Sequence, residues 1–301
     1  LYIAGESGEV ACNVYGGTYT TEGSHSAVLV GNNNPGGDGG IRAQAIANIY
    51  GGTFSAPSGI SALNEETEVG HVTVCAGTFL SGDTVSGVCD YLADTCKQRD
   101  NAEVIPLTGE DEDSVASIGN TYYKSLAGAV ADAENGQTVT LLQDTEENIV
   151  ISADQRLTLD LNGKTLSEAN SNSSTVIVEG ELTIQDSTAT NPPEVSGTYY
   201  ETVNYTSGKI TSSGYKVSAV ATQNGGTVTL VSGKVESTGN IALYAQGDIT
   251  GETEINSTVN VFGGYVEAQE FAVSAQGKGA TLNISDGVMV GKDNAAVAGN
   301  G

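Results

Sequence analysis

Apolar and polar positions alternate along this chain in short bursts, and one phrase closes many of them. Two alternating apolar residues lead into Gly or Gly-Gly, then Thr, Lys or Tyr, one more apolar residue and a polar turn. It reads Asn13-Val14-Tyr15-Gly16-Gly17-Thr18-Tyr19, Asn48-Ile49-Tyr50-Gly51-Gly52-Thr53-Phe54 and Val74-Cys75-Ala76-Gly77-Thr78-Phe79. It returns as Leu230-Val231-Ser232-Gly233-Lys234-Val235, Val261-Phe262-Gly263-Gly264-Tyr265-Val266 and Ile284-Ser285-Asp286-Gly287-Val288. Alternation sends neighbouring side chains to opposite faces of a strand, so each burst predicts a strand with one buried face. Within each half the phrases recur roughly every 23 to 35 residues, one turn of a repeat and too little for a self-sufficient domain. The pattern therefore predicts an all-β solenoid punctuated by glycine.

Strand-like stretches such as Ser26-Ala27-Val28-Leu29-Val30 and Gly59-Ile60-Ser61-Ala62-Leu63 fill the intervals of the first part, residues 1–100, read as the C-terminal part of a first module. Residues 101–120, with the charged run Gly109-Glu110-Asp111-Glu112-Asp113, read as a hydrated linker. The second module, 121–301, opens differently: Leu126, Val130 and Ala133 fall at helical spacing. Ser125 is placed to N-cap that helix and Gly136 to supply a left-handed residue at its end. A short amphipathic helix is expected to cap the open end of this module, where bare strand edges invite aggregation. Strands follow at 138–142, 148–151, 157–161 and 175–178, with tight turns at Asn162-Gly163 and Glu179-Gly180. An insertion at about 185–207, carrying Pro192-Pro193, is too long for a simple turn and is expected to protrude. The chain opens in mid-pattern at Leu1 and closes uncapped, which reads as a piece of something longer.

Composition narrows the function. The 37 Asp and Glu outweigh 11 Lys and Arg, for a formal net charge of −26, which repels nucleic acid and anionic lipid alike. No apolar run has the length of a membrane span. Cys89 and Cys96 bracket a short segment and are spaced to close a small loop as a disulfide, which an oxidising exterior permits. Cys12, aligned on its glycine, takes the same inward position as Val72.

The run Tyr123-Lys124-Ser125-Leu126, Ala129-Val130, Ala133 and 136–142, then Leu157-Thr158-Leu159-Asp160-Leu161-Asn162-Gly163-Lys164-Thr165-Leu166 and Leu182-Thr183-Ile184-Gln185-Asp186-Ser187, resembles the opening of a pectate-lyase-like module. Such right-handed parallel β-helix modules recur in large surface proteins of gut and other Gram-positive bacteria. The stretch from Gly77-Thr78-Phe79 to Leu92-Ala93-Asp94 is similar to their closing coil. The resemblance implies a right-handed parallel β-helix in two modules and a bacterial, secreted or cell-surface location. Many members are called adhesin-like, with no reaction assigned. Lyase members set an Arg or Lys near clustered Asp residues, whereas the arginines here are only Arg42, Arg99 and Arg156. Polygalacturonase-like members carry an Asp-Asp pair and Gly-His-Gly, and this chain has Gly70-His71-Val72.

Other chemistry is sparse. His25 and His71, the only histidines, read as a turn and a strand-flanking residue. The glycine-rich piece 32–40 lacks the Lys-Ser or Lys-Thr of a phosphate loop and, with Asp38 as its one acid, lacks a calcium set. The acid clusters 65–68, 110–113 and 144–147 read as solvated turns with at most weak calcium capture, and no other cofactor is implied. With no Trp, glycan stacking falls to tyrosine. Tyr15, Tyr19, Tyr50, Tyr244 and Tyr265 beside the glycine phrase read as packing stacks, leaving Tyr199, Tyr200 and Tyr205 of the insertion to bind a glycan or host surface protein. The expectation is a monomeric, non-catalytic extracellular module, a spacer or adhesin. The rival is a polysaccharide lyase or glycoside hydrolase, which requires a carboxylate and a basic residue, or three carboxylates, converging on one sheet.

Overall fold

A computed structural model of the chain describes residues 1–3, 9–22, 25–30, 45–57, 62–65, 70–81, 92–99, 103–189, 192–197, 202–250, 252 and 254–300. Among the described residues the fold is all-β with parallel sheets and one short helix. Two compact units divide it, Leu1–Thr108 and Gly109–Gly301. Residues 101–120, expected as a linker, carry two strands: Glu103–Pro106 belongs to a sheet of the first unit and Ala116–Ile118 to one of the second.

In the first unit Val10–Val14, Ala45–Ala56 and Gly70–Ser81 lie side by side in parallel. Cys12 stands opposite Ala47 and Ala47 opposite Val72, the column the glycine alignment predicts. A three-stranded parallel sheet, Tyr2–Ile3, Val28–Val30 and Leu63–Glu65, accompanies it. Inward residues pack like on like: the rings of Tyr19 and Phe54 stack at 5.0 Å and those of Phe54 and Phe79 at 4.9 Å. Two antiparallel strands, Cys96–Gln98 and Glu103–Pro106, finish the larger sheet.

The second unit visits three columns in the same order on each repeat. The first holds Thr138–Leu141, Arg156–Asp160, Glu181–Gln185, Thr227–Leu230 and the leading halves of Thr258–Ala268 and Thr281–Gly291. The second holds Thr145–Glu146, Thr165–Ser167, Lys209–Ser212, Lys234–Ser237 and the trailing halves of those two long strands. The third runs from Ile149–Ile151 through Val176–Val178, Val220–Thr222, Leu243–Gln246 and Val273–Gln276 to Val297–Asn300. Inward positions stack apolar on apolar, as in Val139, Leu159, Ile184, Leu230 and Val261, which are all buried and lie partner to partner.

The repeated phrase has a geometric cause. Gly17, Gly52, Gly77, Gly233, Gly264 and Gly287 all take positive φ, between 80° and 139°, a conformation that costs glycine little. Each sits at the corner between two strand segments. A Cβ on Gly264 would stand 2.6 Å from the carbonyl oxygen of Gly233 one repeat earlier, so the corners stack backbone on backbone.

The helix, Leu126–Asp132, buries Leu126, Ala129 and Val130 in the core of the second unit. It packs on the first strands of the first and third columns, and the antiparallel strands Ala116–Ile118 and Thr121–Tyr123 cover the edge of Thr138–Leu141. Ser125 caps it as expected, its hydroxyl accepting from the Gly128 N–H at 2.9 Å. Its C-terminal end differs: Ala133 is already extended, and Gly136 takes φ +88° later, in the turn before the first strand. The expected turn at Asn162-Gly163 has both residues at positive φ.

Candidate functional site

The outer face of the second column gathers the densest charged constellation among the described residues. Alternation in Lys234–Ser237 and in the trailing half of Thr258–Ala268 sends Lys234, Glu236, Tyr265 and Glu267 to one side. The parallel register then sets Lys209 beside Lys234 and Lys234 beside Tyr265, with Glu236 beside Glu267. The Lys234 ammonium lies 3.3 Å from Glu236 and 3.0 Å from Glu267. Lys209 reaches Glu236 at 3.3 Å, and Lys292 pairs with the other Glu267 oxygen. The Tyr265 hydroxyl donates to Glu267 at 2.7 Å while Lys234 lies 4.9 Å above the Tyr265 ring. A carboxylate and basic residues thus converge on one sheet, the feature the enzyme reading demands.

Their protonation decides what the cluster can do. Burial pushes the Glu267 carboxyl up, but hydrogen bonds from Lys292, Tyr265 and Lys234 and the Lys234 charge outweigh it and hold it at about 2. The hydrogen bond to Glu267 raises Lys292, and burial together with Glu267 pushes the Tyr265 phenol far up. A general acid or base works best with a pKa near the operating pH. These groups are driven away from it, and each carboxylate is already matched by ammonium groups.

The insertion forms its own antiparallel pair, Glu194–Ser196 with Thr202–Asn204. Its root is tied down by Asp186, a buried carboxylate that accepts from the N–H groups of Gly163, Thr188 and Gly208 and from the Thr188 hydroxyl. Tyr205, expected to be available for binding, is half-buried; its hydroxyl accepts from the Gly233 N–H at 2.9 Å and burial raises its pKa. Tyr199 and Tyr200 lie outside the described residues, as do Cys89 and residues 32–40 and 66–68. Cys96 is buried and its thiol donates to the Cys75 carbonyl at 2.7 Å.

Other expectations find different uses. Glu147, read as part of an acidic turn, places its two carboxylate oxygens 2.8 Å from the N–H groups of Leu126 and Ala127, at the positive end of the helix. Asp144 accepts from the Thr165 N–H at 2.7 Å. The Tyr265 hydroxyl is committed to Glu267 and that of Tyr244 to Gln276, at 2.9 Å. His25 and His71 are exposed. Tyr15 and Tyr50 do stack, at 5.2 Å, but outside the core, 75% and 44% exposed. No three His, Cys, Asp or Glu among the described residues are grouped to hold a metal ion, and no described helix is long and apolar enough to cross a membrane. Comparison with family models, curated proteins and solved structures gives no match for this chain.

Proposed function

We propose that both units are stretches of right-handed parallel β-helix, of the pectate-lyase-like kind used in bacterial surface proteins. In this reading the chain is a non-catalytic extracellular module, an adhesin-like element or rigid spacer that presents its outer faces to a glycan or a host protein. The three columns visited in constant order support the scaffold part. The functional part is carried by one observation: in the densest outer-face charged cluster among the described residues, both carboxylates are already paired with lysines, with Glu267 held at about 2 and Lys292 raised. A lysine locked to a carboxylate is a poor base for β-elimination, and a carboxylate at about 2 is a poor proton donor.

The rival polysaccharide lyase or glycoside hydrolase draws on the side-by-side Glu236 and Glu267. Incubation with plant, host and microbial polysaccharides, with and without calcium, followed by mass spectrometry of the soluble products, separates the two. The proposal expects no new oligosaccharide. Products that disappear in Glu236→Gln or Glu267→Gln overturn it.

A further inference from the structure

The motif Asn-apolar-aromatic-Gly-Gly occurs three times: from Asn13 to Gly17, from Asn48 to Gly52 and from Asn260 to Gly264. Each time it turns the Asn and the aromatic ring outward on one strand, in both units. The fold does not need a ring there, because Ala76 stands opposite Tyr50 and Asp286 opposite Phe262. Tyr15, Tyr50 and Phe262 are nevertheless 75%, 44% and 51% exposed, so core packing does not call for their aromatic character.

In the first unit this motif makes a two-strand strip. The Asn48 amide donates to the Asn13 side-chain oxygen at 3.0 Å, and beside it the Tyr15 and Tyr50 rings lie 5.2 Å apart and 11° from parallel. Among the described residues, the hydroxyls of both tyrosines, the Asn13 amide nitrogen and the Asn48 side-chain oxygen meet no protein partner. The next strand adds His71 and Thr73, opposite Ile46 and Asn48 and both exposed. The strip carries no formal charge with His neutral, in a chain whose net charge is −26.

We propose that this strip is a binding site for a neutral polysaccharide. An aromatic face takes the C–H face of a pyranose, and side-chain amides and phenols pair with its hydroxyls in both donor and acceptor roles. The net negative charge of the chain repels uronate and sulfated chains, which selects neutral ones. The inference rests on the surface-module reading and names its ligand class.

Affinity electrophoresis of the full chain tests it, in gels holding galactomannan, hydroxyethyl cellulose or mixed-linkage β-glucan, with polygalacturonate as the charged comparison. At least one neutral polymer should retard the chain and polygalacturonate should not. Tyr15→Ala/Tyr50→Ala should weaken retention about tenfold with an unchanged thermal transition, Asn48→Ala should weaken it less, and Tyr215→Ala, an equally exposed ring elsewhere, should leave it intact. Absence of retardation in every neutral gel overturns the proposal, as does undiminished retention in the double variant. Neither outcome touches the non-catalytic reading, which fails only through new oligosaccharide products.

Discussion

Glu267 shows how a single residue's surroundings separate structure from chemistry. It receives two lysines and a phenol, so its ionised form is favoured in the folded chain, with a pKa lowered from 4.5 to about 2. A carboxyl depressed on folding stabilises fully above its unfolded value and loses that contribution as pH falls through the folded one. Discounted for solvent screening, the effect is about 1–2 kcal/mol at pH 7. Glu267→Gln should therefore lower stability to urea at pH 7, and the gap from the native chain should close between about pH 4.5 and 2. A gap that persists unchanged at the acid end contradicts this account of the cluster. No single stretch of sequence announces the cluster, because Lys209, Lys234 and Lys292 come from three repeats and meet only once the register is known. The alternation of Lys234 with Glu236 and of Tyr265 with Glu267 was visible, but not which strands would be neighbours.

At the scale of elements, the glycine corners were the most legible feature, since the positive φ they share favours glycine wherever the chain bends this way. The inward columns followed from them: Leu230 and Val261, placed inside by alternation, are fully buried partners. Asp at either position leaves an unpaired buried charge and should cost several kcal/mol, about 3–5; an unchanged urea midpoint for both would refute the columns. The helix start was half legible. Ser125 is a local signal, whereas Glu147 reaches the helix from a later turn and no local pattern predicts that. Glu147→Ala should cost about 1 kcal/mol, in the range of lost helix caps, while Glu146→Ala, an exposed neighbour, should cost little. Equal melting temperatures for the two would remove Glu147 from the cap.

Across the whole molecule, stability in a repeat array comes from neighbour-to-neighbour stacking, so every outer-face site inherits its geometry from the parallel register. The insertion tests that logic: Leu182 and Val228 are direct partners although the hairpin and its flanks lie between them in sequence. The length and Pro192-Pro193 marked the insertion as a protrusion. The ties that fold Tyr205 and Asp186 back onto the strands were hidden, since Gly233 and Gly163 belong to other repeats. The most direct measurement is a disulfide across this gap. Thr183 and Thr229 are in-register neighbours, and adjacent strands hold Cα atoms within disulfide range. Thr183→Cys/Thr229→Cys, mildly oxidised and mapped by mass spectrometry without reduction, should yield the 183–229 cross-link, whereas Thr183→Cys/Thr227→Cys, two residues out of register, should not. Cross-linking of the offset pair in place of the aligned one would contradict the parallel register of the second unit, on which the charged cluster is built.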